Sequence, residues 1–181
     1  MLARSVSSLS IALVLAAAAV GSCLLPSMDA PRAVKVGVYD SRAVAVAFAH
    51  SAQNRAVLED LMRRRDEAKK SNATAEVGAL EARGAALQER LHRQGFSTAS
   101  IADILKPIEA QLPAIAQAAG VDVLMSKWDV AYRAEGVEFV DVTSAMIAPF
   151  APTDQVRTMI DSLLEQEPLS LYEHDWDAHR H

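Results

Sequence analysis

The chain has 181 residues, 51% of them apolar but only 5% aromatic, with one cysteine and a formal charge of −5 at neutral pH. A single cysteine excludes an internal disulfide framework, and mild acidity argues against nucleic acid or an anionic membrane surface as the main partner. An aliphatic, alanine-rich chain of this length predicts one domain whose core is built largely from helix faces.

The first element is a leader. Residues 1–10 carry Arg4 and no acidic side chain, and residues 11–20 (IALVLAAAAV) form an apolar run that fits a secretory h-region and is too short to cross a bilayer. Residues 1–23 are therefore expected to be a signal peptide, which places the protein in the periplasm or cell envelope. Val20, Gly21 and Ser22 before Cys23 resemble a bacterial lipobox, in which the cysteine is lipidated; in the other reading Cys23 leaves with the leader. A lipid on Cys23 would be the only contact with a membrane. Residues 24–33 read as a linker.

The body begins with a strand over residues 34–39 (VKVGVY), after which Asp40 or Ser41 caps a helix running from about residue 42 to 70. Val44, Phe48, Val57, Leu58, Leu61 and Met62 form the apolar side of that helix. Ser71 and Asn72 interrupt it, and a second helix over 73–93 carries Val77, Leu80, Leu87 and Leu91. Gly78 and Gly84 weaken it by about 1 kcal/mol each relative to alanine. Gly95 reads as a left-handed helix end, and a third helix from Ser97 or Thr98 to Ala119 is expected to kink at Pro107 and Pro113 before Gly120 closes it.

Residues 121–126 and 130–133 read as strands joined by a hairpin at Lys127, Trp128 and Asp129, and Glu135 with Gly136 turn the chain into a further strand over 137–142. A short helical segment over 144–150 follows. Thr153 or Asp154 then caps a last helix with Val156, Ile160, Leu163 and Leu164 on its apolar face. From residue 167 the sequence is polar, without periodicity, and reads as a mobile tail. The expected fold class is α+β: a small antiparallel-rich β body with a protruding, coiled-coil-like helical excursion over about 42–119, all within a domain spanning 34–166.

Candidate sites are few. Residues 55–93 hold nine Lys or Arg against seven Asp or Glu, whereas five acids face Arg180 alone from residue 165 onward; the helical middle is either a docking surface or an ordinary solvated face. His174, Asp175, Asp177, His179 and His181 offer the imidazole and carboxylate groups that suit zinc, on a segment with nothing to fix their geometry. His92, Gln94, Gly95, Phe96 and Ser97 form a polar knot that either binds a ligand, through His92, Gln94 and Ser97, or is a capped turn with Phe96 buried. Tyr39, Asp40, Ser41 and Arg42 read either as a polar site at the carboxyl end of the strand or as the helix cap. No nucleophile elbow, phosphate-binding glycine loop or helical metalloprotease motif is present, so no enzyme activity, catalytic residue or cofactor is expected.

The strand and aspartate of VKVGVYD leading into a helix, and residues 104–120 leading into VDVLMSKWDVAYRAEGVEFVDVTSAMIAPF, resemble the OmpH/Skp family of periplasmic chaperones. Asp141, Val142 and Thr143 match that family's Asp-hydrophobic-Thr turn, and residues 120–126 match its aliphatic strand, over about a third of the chain in all. The resemblance implies a trimer whose β body assembles from three subunits and whose paired helices project around unfolded outer-membrane proteins. Family members tend to be basic, and this chain is acidic with a shorter helical middle, which folded back once reaches at most about 60 Å. The expected function is that of an exported holdase-type chaperone or client-binding protein, with Phe48, Leu58, Leu61 and Leu87 in core or client contact. Its partners would be unfolded or envelope polypeptides and further copies of itself. The other readings are a structural envelope lipoprotein without chaperone activity, and a small periplasmic protein that binds a ligand or metal.

Overall fold

The computed structural model describes residues 33–170. The leader, Cys23 and the His174, Asp175, Asp177, His179 and His181 cluster lie outside them. Three strands, β1 (Lys35–Tyr39), β2 (Val123–Ser126) and β3 (Glu138–Asp141), form one sheet in the order β2-β1-β3. Both neighbours run parallel to β1, with Gly37 opposite Leu124 on one side and Val140 on the other.

The all-parallel sheet overturns the expected antiparallel-rich body. The error lies at Lys127–Asp129, which is a 3₁₀ turn and not a hairpin connection: the Trp128 N–H donates to Ser126 Oγ at 3.2 Å and turns the chain out of the sheet. Residues 130–133 consequently form no strand. The eleven residues 127–137 carry the chain back to the starting end and across β1. That return covers about 13 Å along the strands and about 10 Å across them, well within reach of such a segment.

One face of the sheet packs against the helices. A Cβ at Gly37 would stand 2.9 Å from Val121 Cγ2, 3.0 Å from Leu124 Cδ2 and 3.2 Å from Val142 Cγ1, so only glycine lets the neighbouring side chains close over the central strand. Tyr39, two residues on, points the same way and is buried in the main core. Val36 and Val38 point to the opposite face and are only half-buried.

The centre of the core is α1 (Ser41–Ala49), whose Ala43, Val44, Ala45 and Ala47 are all but inaccessible. Small side chains let the helices packed around it approach closely. The expected continuous helix over 42–70 is broken at His50: Ser51 Oγ donates to the Phe48 carbonyl at 2.6 Å and accepts from the Asn54 N–H at 3.2 Å, while Asn54 Nδ2 donates to the Ala49 carbonyl at 2.8 Å. Ser51 thus ends α1 and caps α2 (Ala52–Lys70). A tight turn with Asn72 in the left-handed region leads into α3 (Thr74–Phe96). Gly95 does not end α3 but lies buried within it, 3.7 Å from Val46 by its missing Cβ.

The third predicted helix starts later and is divided at its prolines. Here α4 (Ala102–Leu105), a 3₁₀ segment over Lys106–Gln111 and α5 (Leu112–Ala119) return the chain along the body, with Ile101, Ile104 and Ile108 in the main core. Gly120 closes α5 at φ 66°, as its sequence position predicts. After the sheet come α6 (Thr143–Ile147) and α7 (Asp154–Leu164), which is capped by Thr153 and buries Val156, Ile160 and Leu163.

Candidate functional site

The helical excursion resolves into a two-helix hairpin made by α2 and α3. At about 1.5 Å per residue, the 19 residues of α2 extend roughly 28 Å, half the reach allowed by the sequence. Its seam is a cluster separate from the main core: Leu61, Ala68 and Leu80 are buried, with Ala73, Val77 and Leu87 packed against them. A hollow of about 330 Å³ along one flank is lined by Leu58, Leu61, Met62 and Leu80, and another of about 240 Å³ on the opposite flank by Val57, Leu61 and Leu87. Val57 is 43% and Met62 55% exposed.

The four candidate contact residues therefore hold different places. Phe48 belongs to the body, edge-on to Phe150 with ring centroids 5.7 Å apart. Leu61 is the middle of the hairpin seam, Leu87 packs beside it, and Leu58 lines the first hollow. Val57 and Met62, read from the sequence as helix-face positions, are the apolar groups that the hairpin leaves open. The basic run on α2 is largely paired with its own neighbours: Arg63 with Asp60 and, at 3.1 Å, Glu67; Arg65 with Asp66 at 2.9 Å; and Lys69 across the hairpin with Glu81 at 3.5 Å. Such exposed pairs add little to stability, and they leave the arm a mixed rather than a basic surface.

At the carboxyl end of β1, Asp40 does more than cap α1. Its carboxylate accepts from the Arg42 backbone N–H at 2.9 Å, Arg42 Nε at 3.2 Å, Arg42 Nη2 at 2.9 Å and Trp128 Nε1 at 3.2 Å, and lies 2.9 Å from Lys127 Nζ. Its own N–H donates to Thr143 Oγ1 at 3.1 Å. Arg42, also buried, donates through Nη1 to the Gln166 carbonyl at 2.8 Å, and both Arg42 and Lys127 stand over the Trp128 ring, 4.9 and 4.4 Å from its centre. Burial pushes the Asp40 pKa up, but the hydrogen bonds from Arg42, Lys127 and Trp128 outweigh it and hold the carboxyl down at about 2. A carboxylate saturated in this way is a fastener with no free lone pair for chemistry.

The polar knot at the end of α3 is divided. Gln94 is buried and donates through Nε2 to the Ser100 carbonyl at 2.9 Å and to Asp103 at 2.6 Å, fastening the 97–103 segment to α3. Ser97 Oγ donates to the Arg93 carbonyl at 2.5 Å. His92 is exposed and pairs edge-on with Phe96, which is exposed and not buried as expected. Residues two apart on a helix do not share a face, so His92 and Gln94 are not brought together. Just past α7, the Leu169 N–H donates to the Phe96 carbonyl at 2.9 Å, laying residues 166–169 against this end of α3. Among the described residues no group of three or more His, Cys, Asp or Glu could hold a metal ion, and no helix is long and apolar enough to cross a membrane.

No family model, curated protein or solved structure matches this chain.

Proposed function

We propose that this is an exported polypeptide-binding protein of the OmpH/Skp kind, a holdase or client-binding protein of the cell envelope that works as an oligomer, by resemblance a trimer, and takes unfolded or partner chains on its helical arm. One observation carries the reading. A two-helix hairpin has a single internal seam, and this one carries more apolar side chain than the seam can bury. Leu58 and Met62 on one flank and Val57 and Leu87 on the other are left beside shallow hollows. Exposed apolar groups of this kind, ringed by charge of both signs, suit transient contact with hydrophobic segments of a client. No catalytic residue or cofactor enters this reading.

The test is suppression of aggregation of an unfolded outer-membrane β-barrel protein, followed by light scattering. The purified protein should suppress it at near-stoichiometric amounts. Val57→Glu with Met62→Glu changes only exposed positions, and each lost contact should cost about 1 kcal/mol, so roughly 30-fold more of the double variant should be needed. Absence of suppression by the natural chain, or equal suppression by the double variant, would overturn the proposal.

A further inference from the structure

Beside the Asp40 fastening, a cavity of about 310 Å³ opens between the carboxyl ends of β1 and β2 and the segment that runs from residue 98 to 105. Nothing in the arm's proposed role uses it. Its polar lining includes Tyr39, Ser41, Ser126 and Asp129 on the strand side and Thr98 and Ser100 on the facing segment, and Ile101 and Leu105 are apolar.

Tyr39, Ser41 and Ser126 are 6, 3 and 6% exposed as residues, but the Tyr39 and Ser41 hydroxyl oxygens are not among the buried polar atoms left without a partner and stay accessible. Among the described residues neither the Tyr39 nor the Ser41 hydroxyl bonds to another protein group, so each is open to the cavity. Ser126 Oγ accepts from the Trp128 N–H and has its own hydrogen left to donate. The Asp129 carboxylate likewise has no ion pair or hydrogen bond among the described residues. Four polar groups thus converge on one cavity with their bonding capacity unspent.

The charge of the site restricts what can fill it. The nearest cations, Arg42 and Lys127, are both held on Asp40 at 2.9 Å and line no part of the cavity. Asp129 is its only charged lining group, so an anion is repelled. Burial, and then the Asp129 charge, raise the Tyr39 pKa, which keeps the phenol protonated at neutral pH and able both to accept and to donate.

We propose that this cavity binds a small primary amine, its ammonium group held by Asp129 and the hydroxyls of Tyr39, Ser41 and Ser126, and its alkyl part lying on Ile101 and Leu105. A volume near 310 Å³ is at the small end of ligand pockets, which suits a chain of a few carbons. A free amine and the lysine side chain of a bound polypeptide bring the same group.

The test uses the purified protein and three probes of one shape, n-butylamine, 1-butanol and butyrate, in ligand-observed NMR titrations at neutral pH. Butylamine should bind at least tenfold more tightly than butanol, and butyrate should not bind. Asp129→Asn, an exposed position, should bring butylamine down to the level of butanol, and Tyr39→Phe should weaken it severalfold, with the melting temperature of each variant close to that of the natural chain. A lysine-containing pentapeptide separates the two sources: competition with butylamine indicates a polypeptide side chain, and lack of competition indicates a free amine. Binding of butyrate as strong as that of butylamine, no binding of butylamine, or unchanged binding by Asp129→Asn would overturn the proposal.

Discussion

Asp40 accepts five contacts from Arg42, Lys127 and Trp128, groups that stand up to 88 positions away in sequence, at the point where β1 passes into α1. Removing one member of a buried pair leaves the other charge uncompensated, which costs about 3–5 kcal/mol. Asp40→Asn should therefore destabilise the fold by about that amount, measured by urea unfolding at pH 7. The pH dependence has a definite sign. The folded carboxyl titrates at about 2 against an ordinary value of 3.8, so its stabilisation is complete above pH 4 and is lost as pH falls from about 4 towards 2. The difference between the natural chain and Asp40→Asn should shrink across that window, and a constant difference would show that Asp40 is not the titrating group. The sequence showed Asp40 as a helix cap, which it is, since it accepts the Arg42 N–H. The larger role was hidden because Lys127 and Trp128 read as a hairpin connection with no reason to meet β1.

Among the elements, the helical arm has a seam of its own, since its buried residues Leu61, Ala68 and Leu80 form a cluster apart from the main core. Leu80→Ala removes a large part of that seam and should cost about 2–3 kcal/mol, the low end for a buried leucine because the site is shallow. The loss should fall on the arm alone: amide hydrogen exchange across α2 and the first half of α3 should speed up about 30-fold or more, while β1 and α1 keep their protection. Uniform acceleration throughout would show that arm and body open as one unit. Helix periodicity and Gly120 marked most of these elements correctly. What they missed has physical reasons. The break at His50 falls inside an unbroken apolar pattern and depends on side-chain bonds of Ser51 and Asn54. Gly95 serves close packing on Val46 and not a turn. Strand direction leaves no mark on alternation, because a half-buried strand has period two whichever way its neighbour runs.

For the whole molecule, the sheet poses the sharpest question. Purely parallel sheets are ordinarily covered on both faces, yet here Val36, Val38, Met125 and Phe139 on the face away from the helices are only half-buried, and Val123 is 44% exposed. The return segment lays Arg133 over Phe139, 4.6 Å from the ring centre, and leaves Tyr132 83% exposed. In the proposed trimer this face of the sheet is where the subunits would meet. With the proposed trimer, light scattering should give a solution mass three times that of one chain. Val123→Asp with Tyr132→Ser, both exposed in the single chain, should reduce the mass to one chain while leaving the helical circular dichroism intact. A natural chain that is already monomeric would remove the interface and the enclosed client space between arms together. The polypeptide-binding role would then rest on the flanks of a single hairpin, whose two hollows sum to less than 600 Å³ and can hold only short apolar stretches of a client at a time.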